Sequence, residues 1–102
     1  MNLKTIVHGA DAIGFVATFL NEGKTEVTYW IGRSHWGRGV ATAALGKLIE
    51  TITLRPIYAS AAKDNVASIR VLQKCGFVVT RAGRSFASGR DEEIDEIFLE
   101  LR

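Results

Sequence analysis

The chain has 102 residues, 47% of them hydrophobic, and a formal net charge of +2, enough for one small core and one domain over residues 1–102. Its charges are interspersed without a basic stripe, which argues against a nucleic-acid partner, and no stretch approaches the ~18 apolar residues of a membrane helix. There is no signal-peptide pattern, and the lone Cys75 excludes an intrachain disulfide and a Cys-based zinc site, so a cytoplasmic protein without a metal is expected.

Leu3, Ile6 and Val7 predict a first strand, closed by a turn at His8-Gly9-Ala10-Asp11. Ile13, Phe15, Ala17 and Phe19 alternate with Gly14, Val16 and Thr18 at the period of a second strand. Asn21-Glu22-Gly23-Lys24 turns the chain back into a third strand from Thr25 to Ile31, giving an antiparallel meander. A helix follows, with Val40, Ala41, Ala44, Leu45, Leu48, Ile49 and Ile52 on one stripe suited to covering a sheet. Pro56 marks the return to extended chain, and Ile57 to Ala61 is a short strand that a helical crossover sets parallel to the third.

Asp64 or Asn65 caps a second helix whose packed face is expected to hold Val66, Ile69, Leu72 and Cys75, with Gly76 as a left-handed stop. Phe77 to Thr80 and Ile94 to Leu101 are the closing strands, joined by a polar loop from Ser85 to Glu92. Both faces of the last strand carry apolar residues, so sequence does not say which is buried. The order is βββαβαββ, an α+β (α/β) domain with a mixed, mostly antiparallel sheet and two packed helices.

Chemistry concentrates between Tyr29 and Leu45, where an apolar strand runs through a Gly-x-Gly turn into a helix. Gly37 and Gly39 reach backbone angles closed to other residues and leave the approach unblocked, so successive N–H groups can converge on one anion. The first turn of the helix adds unpaired N–H groups and the positive end of its dipole. Arg33 and Arg38 flank the turn and offer charge-assisted contacts to phosphate oxygens. A ligand bearing a pyrophosphate is implied. A Walker loop fails: Gly46-Lys47 is followed by Leu48, and Gly23-Lys24-Thr25 has Thr18 where the first glycine is required. A dinucleotide turn is weakened by Thr42 at its third glycine position and by the lack of an acidic residue in Ile57 to Ala61.

The turn resembles instead the acetyl-CoA loop of the GNAT superfamily of N-acetyltransferases, Gln/Arg-x-x-Gly-x-Gly/Ala, with Ser34 in place of the Gln/Arg. Asn65 to Phe77 resembles that superfamily's second signature, a helix opening on Asn and closing on Gly-Phe. Tyr29-Trp30-Ile31 with Trp36-Gly37-Arg38-Gly39 is most similar to the ribosomal-protein-alanine N-acetyltransferase branch, and the resemblance covers nearly all of residues 12 to 101. It implies a GNAT-like fold, lacking the N-terminal strand and two helices of a complete domain, and self-association into a homodimer to cover what those helices would cover. It also implies direct transfer of an acetyl group from acetyl-CoA to a primary amine of a small molecule or of a peptide or protein N-terminus.

In the superfamily the third strand splays from its parallel neighbour and pairs with the pantetheine arm. Carried to this chain, Trp30, Ile31 and Arg33 would supply backbone contacts, with the acetyl carbonyl near the Ile31 N–H. The N–H groups of Gly37, Arg38, Gly39, Ala41 and Thr42 would hold the pyrophosphate, and Asn65 and Ser68 would meet the CoA arm. The superfamily's usual acid is a Tyr, and Leu72 stands in its place, so Ser68 is the preferred donor to the CoA sulfur; a hydroxyl that merely satisfies the helix start is the alternative.

Glu26 is the leading base candidate, against the plainer reading of an exposed strand carboxylate. His35 fits a loop-packing residue better than a base, and His8 lacks partners at metal spacing. Cys75 reads as an inert packed thiol, Trp30 and Trp36 as packing or cofactor-flanking aromatics, and Asp91, Glu92, Glu93, Asp95 and Glu96 as a solvated acidic loop. Two other functions stay open: a CoA-binding module without transfer activity, and a nucleotide-dependent enzyme.

Overall fold

The computed structural model describes residues 2–87 and 92–102. Strands β1 (Asn2–His8), β2 (Asp11–Asn21) and β3 (Lys24–Ile31) form the antiparallel meander. Its second turn places Glu22 at φ 53° and Gly23 at φ 79°, the paired positive angles of the tight hairpin that matches strand twist. A 3₁₀ turn (Arg33–His35) leads to α1 (Val40–Glu50), then β4 (Ile57–Ala62), α2 (Val66–Lys74), β5 (Val78–Ala87) and β6 (Glu92–Leu101). These make one six-stranded sheet of order β1-β2-β3-β4-β6-β5, in which β3 and β4 are the parallel pair.

Cross-strand partners share a face of the sheet, so the register sorts the side chains. Val16 opposite Tyr29, with Val27, Ile57, Ala59 and Leu99, lines the face on which both helices pack. Leu45, Leu48 and Ile49 of α1 and Leu72 of α2 complete the core together with Phe77. Leu45 and Ile57 are fully enclosed. The opposite face presents Phe15 beside Trp30, along with Thr28, Tyr58 and Phe98, and among the described residues no helix covers it. Cations lie over its rings instead: the Lys24 ammonium is 5.0 Å from the Tyr58 ring centre, and the Arg81 guanidinium 3.9 Å from that of Phe98.

Helix α2 is fixed at both ends. The Asn65 side-chain oxygen accepts the Ser68 N–H at 3.2 Å. At the other end Gly76, at φ 98°, donates to the Gln73 carbonyl while the Phe77 N–H bonds Leu72, the double closure of a left-handed stop. Val66 does not join the packed face and is 54% exposed. Steps of three fall short of the 3.6-residue turn, so over nine residues Val66 rotates to the side opposite Cys75. The packed stripe runs through Ser68, Val71, Leu72 and Cys75 instead.

The loop expected from Ser85 to Glu92 is shorter, since β5 extends to Ala87 and β6 begins at Glu92; residues 88–91 lie outside the described residues, Asp91 of the acidic stretch among them. Asp95 of that stretch pairs with Arg84 at 3.6 Å. In β6 the helix-side face holds Ile97, Leu99 and Leu101, and Phe98 lies on the other.

Two stability predictions follow from this packing. Leu45→Ala empties a fully buried site and lowers unfolding free energy by about 3 kcal/mol, read as a reduced urea midpoint at unchanged slope. Asn65→Ala removes the cap and costs about 1 kcal/mol in the same measurement.

Candidate functional site

β3 and β4 pair at a single register, Glu26 with Tyr58, and beyond it the two strands part. Which groups the split exposes is decided by backbone alternation. The Gly32 N–H donates to Ile13 of β2 at 2.8 Å, so Trp30, of the same parity, also turns its N–H and C=O toward β2. Tyr29 and Ile31 turn theirs into the split. Of the three residues expected to offer backbone contacts there, Ile31 turns its backbone groups into the split and Trp30 turns its own toward β2. Arg33 opens the 3₁₀ turn, where its carbonyl accepts the Trp36 N–H at 3.2 Å. The Trp36 indole N–H donates to the Ile31 carbonyl at 2.8 Å, and the Arg33 guanidinium sits 5.5 Å from the same ring system. Both tryptophans are largely exposed rather than core.

Gly14 holds the diverging end of β3 against β2. A Cβ there would collide with the Trp30 carbonyl and come within 3.0 Å of the Ile31 Cα. A glycine is required by this approach, and strand periodicity alone does not reveal it.

Past the 3₁₀ turn, Gly37 (φ 78°) and Gly39 (φ 73°) both adopt left-handed angles, and Gly39 is the N-cap of α1 with no side-chain cap bond. The first helical bond is Ala43 N–H to the Gly39 carbonyl at 3.0 Å, which leaves the N–H groups of Val40, Ala41 and Thr42 without intrahelical partners. A Cβ at Gly37 or Gly39 would meet nothing within 4 Å, so neither position is enclosed by the rest of the chain. Arg33, Ser34 and Arg38 are exposed around it. The His8 and His35 rings lie 6.0 Å apart nearby.

On the helix side of the split, the Tyr29 hydroxyl donates to the Ser68 Oγ at 2.9 Å, linking β3 to the first turn of α2. Burial pushes the Tyr29 phenol above its usual range; the Ser68 hydrogen bond acts against the rise and the neighbouring Cys75 adds to it. Sequence reading missed Tyr29 as a functional candidate. The available signal was its parity with Val27 and Ile31, which points a phenol inward where its hydroxyl needs a partner. Leu72 is buried in the core. Cys75 approaches the Thr42 carbonyl at 3.6 Å, and burial raises its thiol, which fits an unreactive sulfhydryl.

Glu26 is not brought to Ser68. It projects from the helix-free face at the closed end of the split, where its carboxylate accepts the Asn21 side-chain N–H at 2.6 Å. Two shallow concavities elsewhere, one beside Lys63 and Ile94 and one beside Phe19 and Leu54, contain none of these residues. Among the described residues no group of three or more His, Cys, Asp or Glu could hold a metal, and no helix is long and apolar enough to cross a membrane.

Comparison with known proteins agrees with this geometry. The acetyltransferase (GNAT) domain family matches residues 2–78. A curated relative, the uncharacterized N-acetyltransferase p20 of Bacillus licheniformis, is 30% identical over 92 residues, covering 86% of this chain and 52% of its own. The chain thus spans about half the length of that relative. A microcin C7 self-immunity acetyltransferase solved with acetyl-CoA and AMP superposes with a TM-score of 0.84 at 19% identity, over 96% of this chain and 58% of that one. The ribosomal-protein-alanine N-acetyltransferase of Brucella melitensis gives 0.82 at 18% identity, over 96% and 66%. The unpaired split, the glycine turn at its mouth and the family match lead to one conclusion: the chain belongs to the GNAT acetyltransferase family.

Proposed function

We propose that this chain binds acetyl-CoA along the split and transfers the acetyl group directly to a primary amine of a small molecule or of a peptide or protein N-terminus. The observation that carries the proposal is the pair of left-handed glycines before α1, with the N–H groups of Ala41 and Thr42 left open to an anion beside the unpaired edge of β3. The pyrophosphate is held by the N–H groups of Gly37, Arg38, Gly39, Ala41 and Thr42, with charge from Arg33 or Arg38. The pantetheine arm then runs along the backbone of β3 toward Asn65.

The acetyl carbonyl lies at the Ile31 N–H, which polarises it and favours the oxyanion of the tetrahedral intermediate. When the C–S bond breaks, Ser68 supplies a proton to the departing thiolate. Glu26, on the helix-free face and about 16 Å along β3 from Ile31, takes the ammonium proton of the acceptor through intervening water. Acid and base thus serve the reaction from opposite sides of the sheet, which keeps the two proton transfers apart.

The same helix-free face, with Trp30 and Leu3 more than half exposed, supports pairing with a second copy, and the single thiol suits a reducing cytoplasm. Leu72 at the usual acid's position favours one competing reading, a CoA-binding module that does not turn over.

Calorimetric titration with acetyl-CoA, against NAD and ATP, followed by thiol release with a panel of amines, separates these functions. Selective binding with amine-dependent release is expected; binding without release supports the module, and no binding removes the proposal. Gly39→Val forces a branched residue into a left-handed angle and a side chain into the open approach, and is expected to weaken acetyl-CoA binding at least about tenfold in a folded protein. Glu26→Gln is expected to lower turnover about 100-fold with little change in acetyl-CoA affinity; unchanged turnover removes Glu26 as base.

A further inference from the structure

The hydrogen bond from Tyr29 to Ser68 has no role in cofactor binding as described above, yet it reaches from β3 to the hydroxyl that the acetyl-transfer reading sets beside the sulfur. A phenol is a far stronger acid than an aliphatic alcohol, so in a pair 2.9 Å apart the phenol donates and the serine oxygen accepts. That arrangement leaves the serine's own proton free to point elsewhere. The Asn65 cap fixes the backbone of Ser68 at the same time, so the hydroxyl is held from both sides. The half-buried phenol keeps its proton through neutral pH, since burial disfavours the phenolate.

We infer that Tyr29 is the positioning residue behind Ser68: it orients the serine hydroxyl toward the CoA sulfur and replaces the proton that the serine gives up. This inference rests on the acetyl-transfer reading. As the N–C bond forms and the C–S bond breaks, the thiolate takes the Ser68 proton and Ser68 takes the Tyr29 proton. The acceptor nitrogen loses two protons by way of the base to water, one as the ammonium becomes the neutral nucleophile and one as the amide forms; water returns one of them to the phenolate, and the cycle releases one proton overall. A tyrosine on β3 thereby fills, through a serine, the function left vacant by Leu72 on α2.

The test compares Tyr29→Phe, Ser68→Ala and the double variant with the wild-type chain, by steady-state thiol release and by acetyl-CoA calorimetry. Tyr29→Phe retains the ring and its packing, and a thermal melt checks that it folds. Its kcat is expected to fall about tenfold or more while the KM for acetyl-CoA and the calorimetric Kd stay within about twofold. The double variant is expected to be no slower than Ser68→Ala alone, because the tyrosine acts through the serine.

A folded Tyr29→Phe with wild-type kcat, or losses that multiply in the double variant, overturns the inference and leaves acetyl transfer standing. A loss confined to acetyl-CoA affinity also overturns it, since it makes Tyr29 a structural support for the cofactor. A wild-type chain that binds acetyl-CoA but releases no thiol overturns both.

Discussion

A parallel strand pair joined at one register governs the molecule. Because β3 and β4 meet at Glu26 and Tyr58 and then part, the remaining backbone groups of Tyr29 and Ile31 face a gap that no strand closes. Buried peptide groups without partners are costly, so such a gap persists only where something else supplies the bonds. Part of the supply is internal: Trp36 reaches back to the Ile31 carbonyl. An extended ligand with amide groups of its own would supply the rest, and the glycine turn at the mouth of the gap determines which end of that ligand carries charge.

The elements around the gap are positioned by ordinary packing on one side of the sheet. Leu45, Leu48 and Ile49 seat α1 on β2 and β3, while Leu72 and Phe77 seat α2 beside β4. Helix starts are thereby brought to the same end of the split: α1 opens at Gly39 and α2 at Asn65. Each contributes what its first turn leaves over. In α1 these are backbone donors without a cap, and in α2 they are a capped turn whose Ser68 hydroxyl faces Tyr29. The contact from Cys75 to the Thr42 carbonyl ties the end of α2 to the start of α1.

Much of this was legible in the sequence, because the signals were local. The meander follows from alternation between turn residues, the glycine turn before α1 from Gly37 and Gly39 ahead of an apolar stripe, and a helix cap at Asp64 or Asn65 from their place before Val66. What escaped depended on relations between elements. Tyr29 meets Ser68 across 39 positions, a pairing no local pattern encodes. Trp30 seemed as available as Ile31 until the register with β2 fixed its direction. Val66 fitted an apolar spacing of three that drifts off the helix face over its length. The separation of Glu26 from Ser68 likewise depends on which side of the sheet each residue occupies, and only strand pairing decides that.

Gly14 carries no functional group, yet β3 lies so close to it that even a methyl group would strike the Trp30 carbonyl. The width of the cleft is therefore set from behind, by the absence of a side chain on the neighbouring strand. Drift at this position would pry β3 outward, toward β4, and narrow the opening while every residue that lines it remained intact. A homologue that has lost glycine here would keep the full set of recognition motifs and still have closed the door they guard.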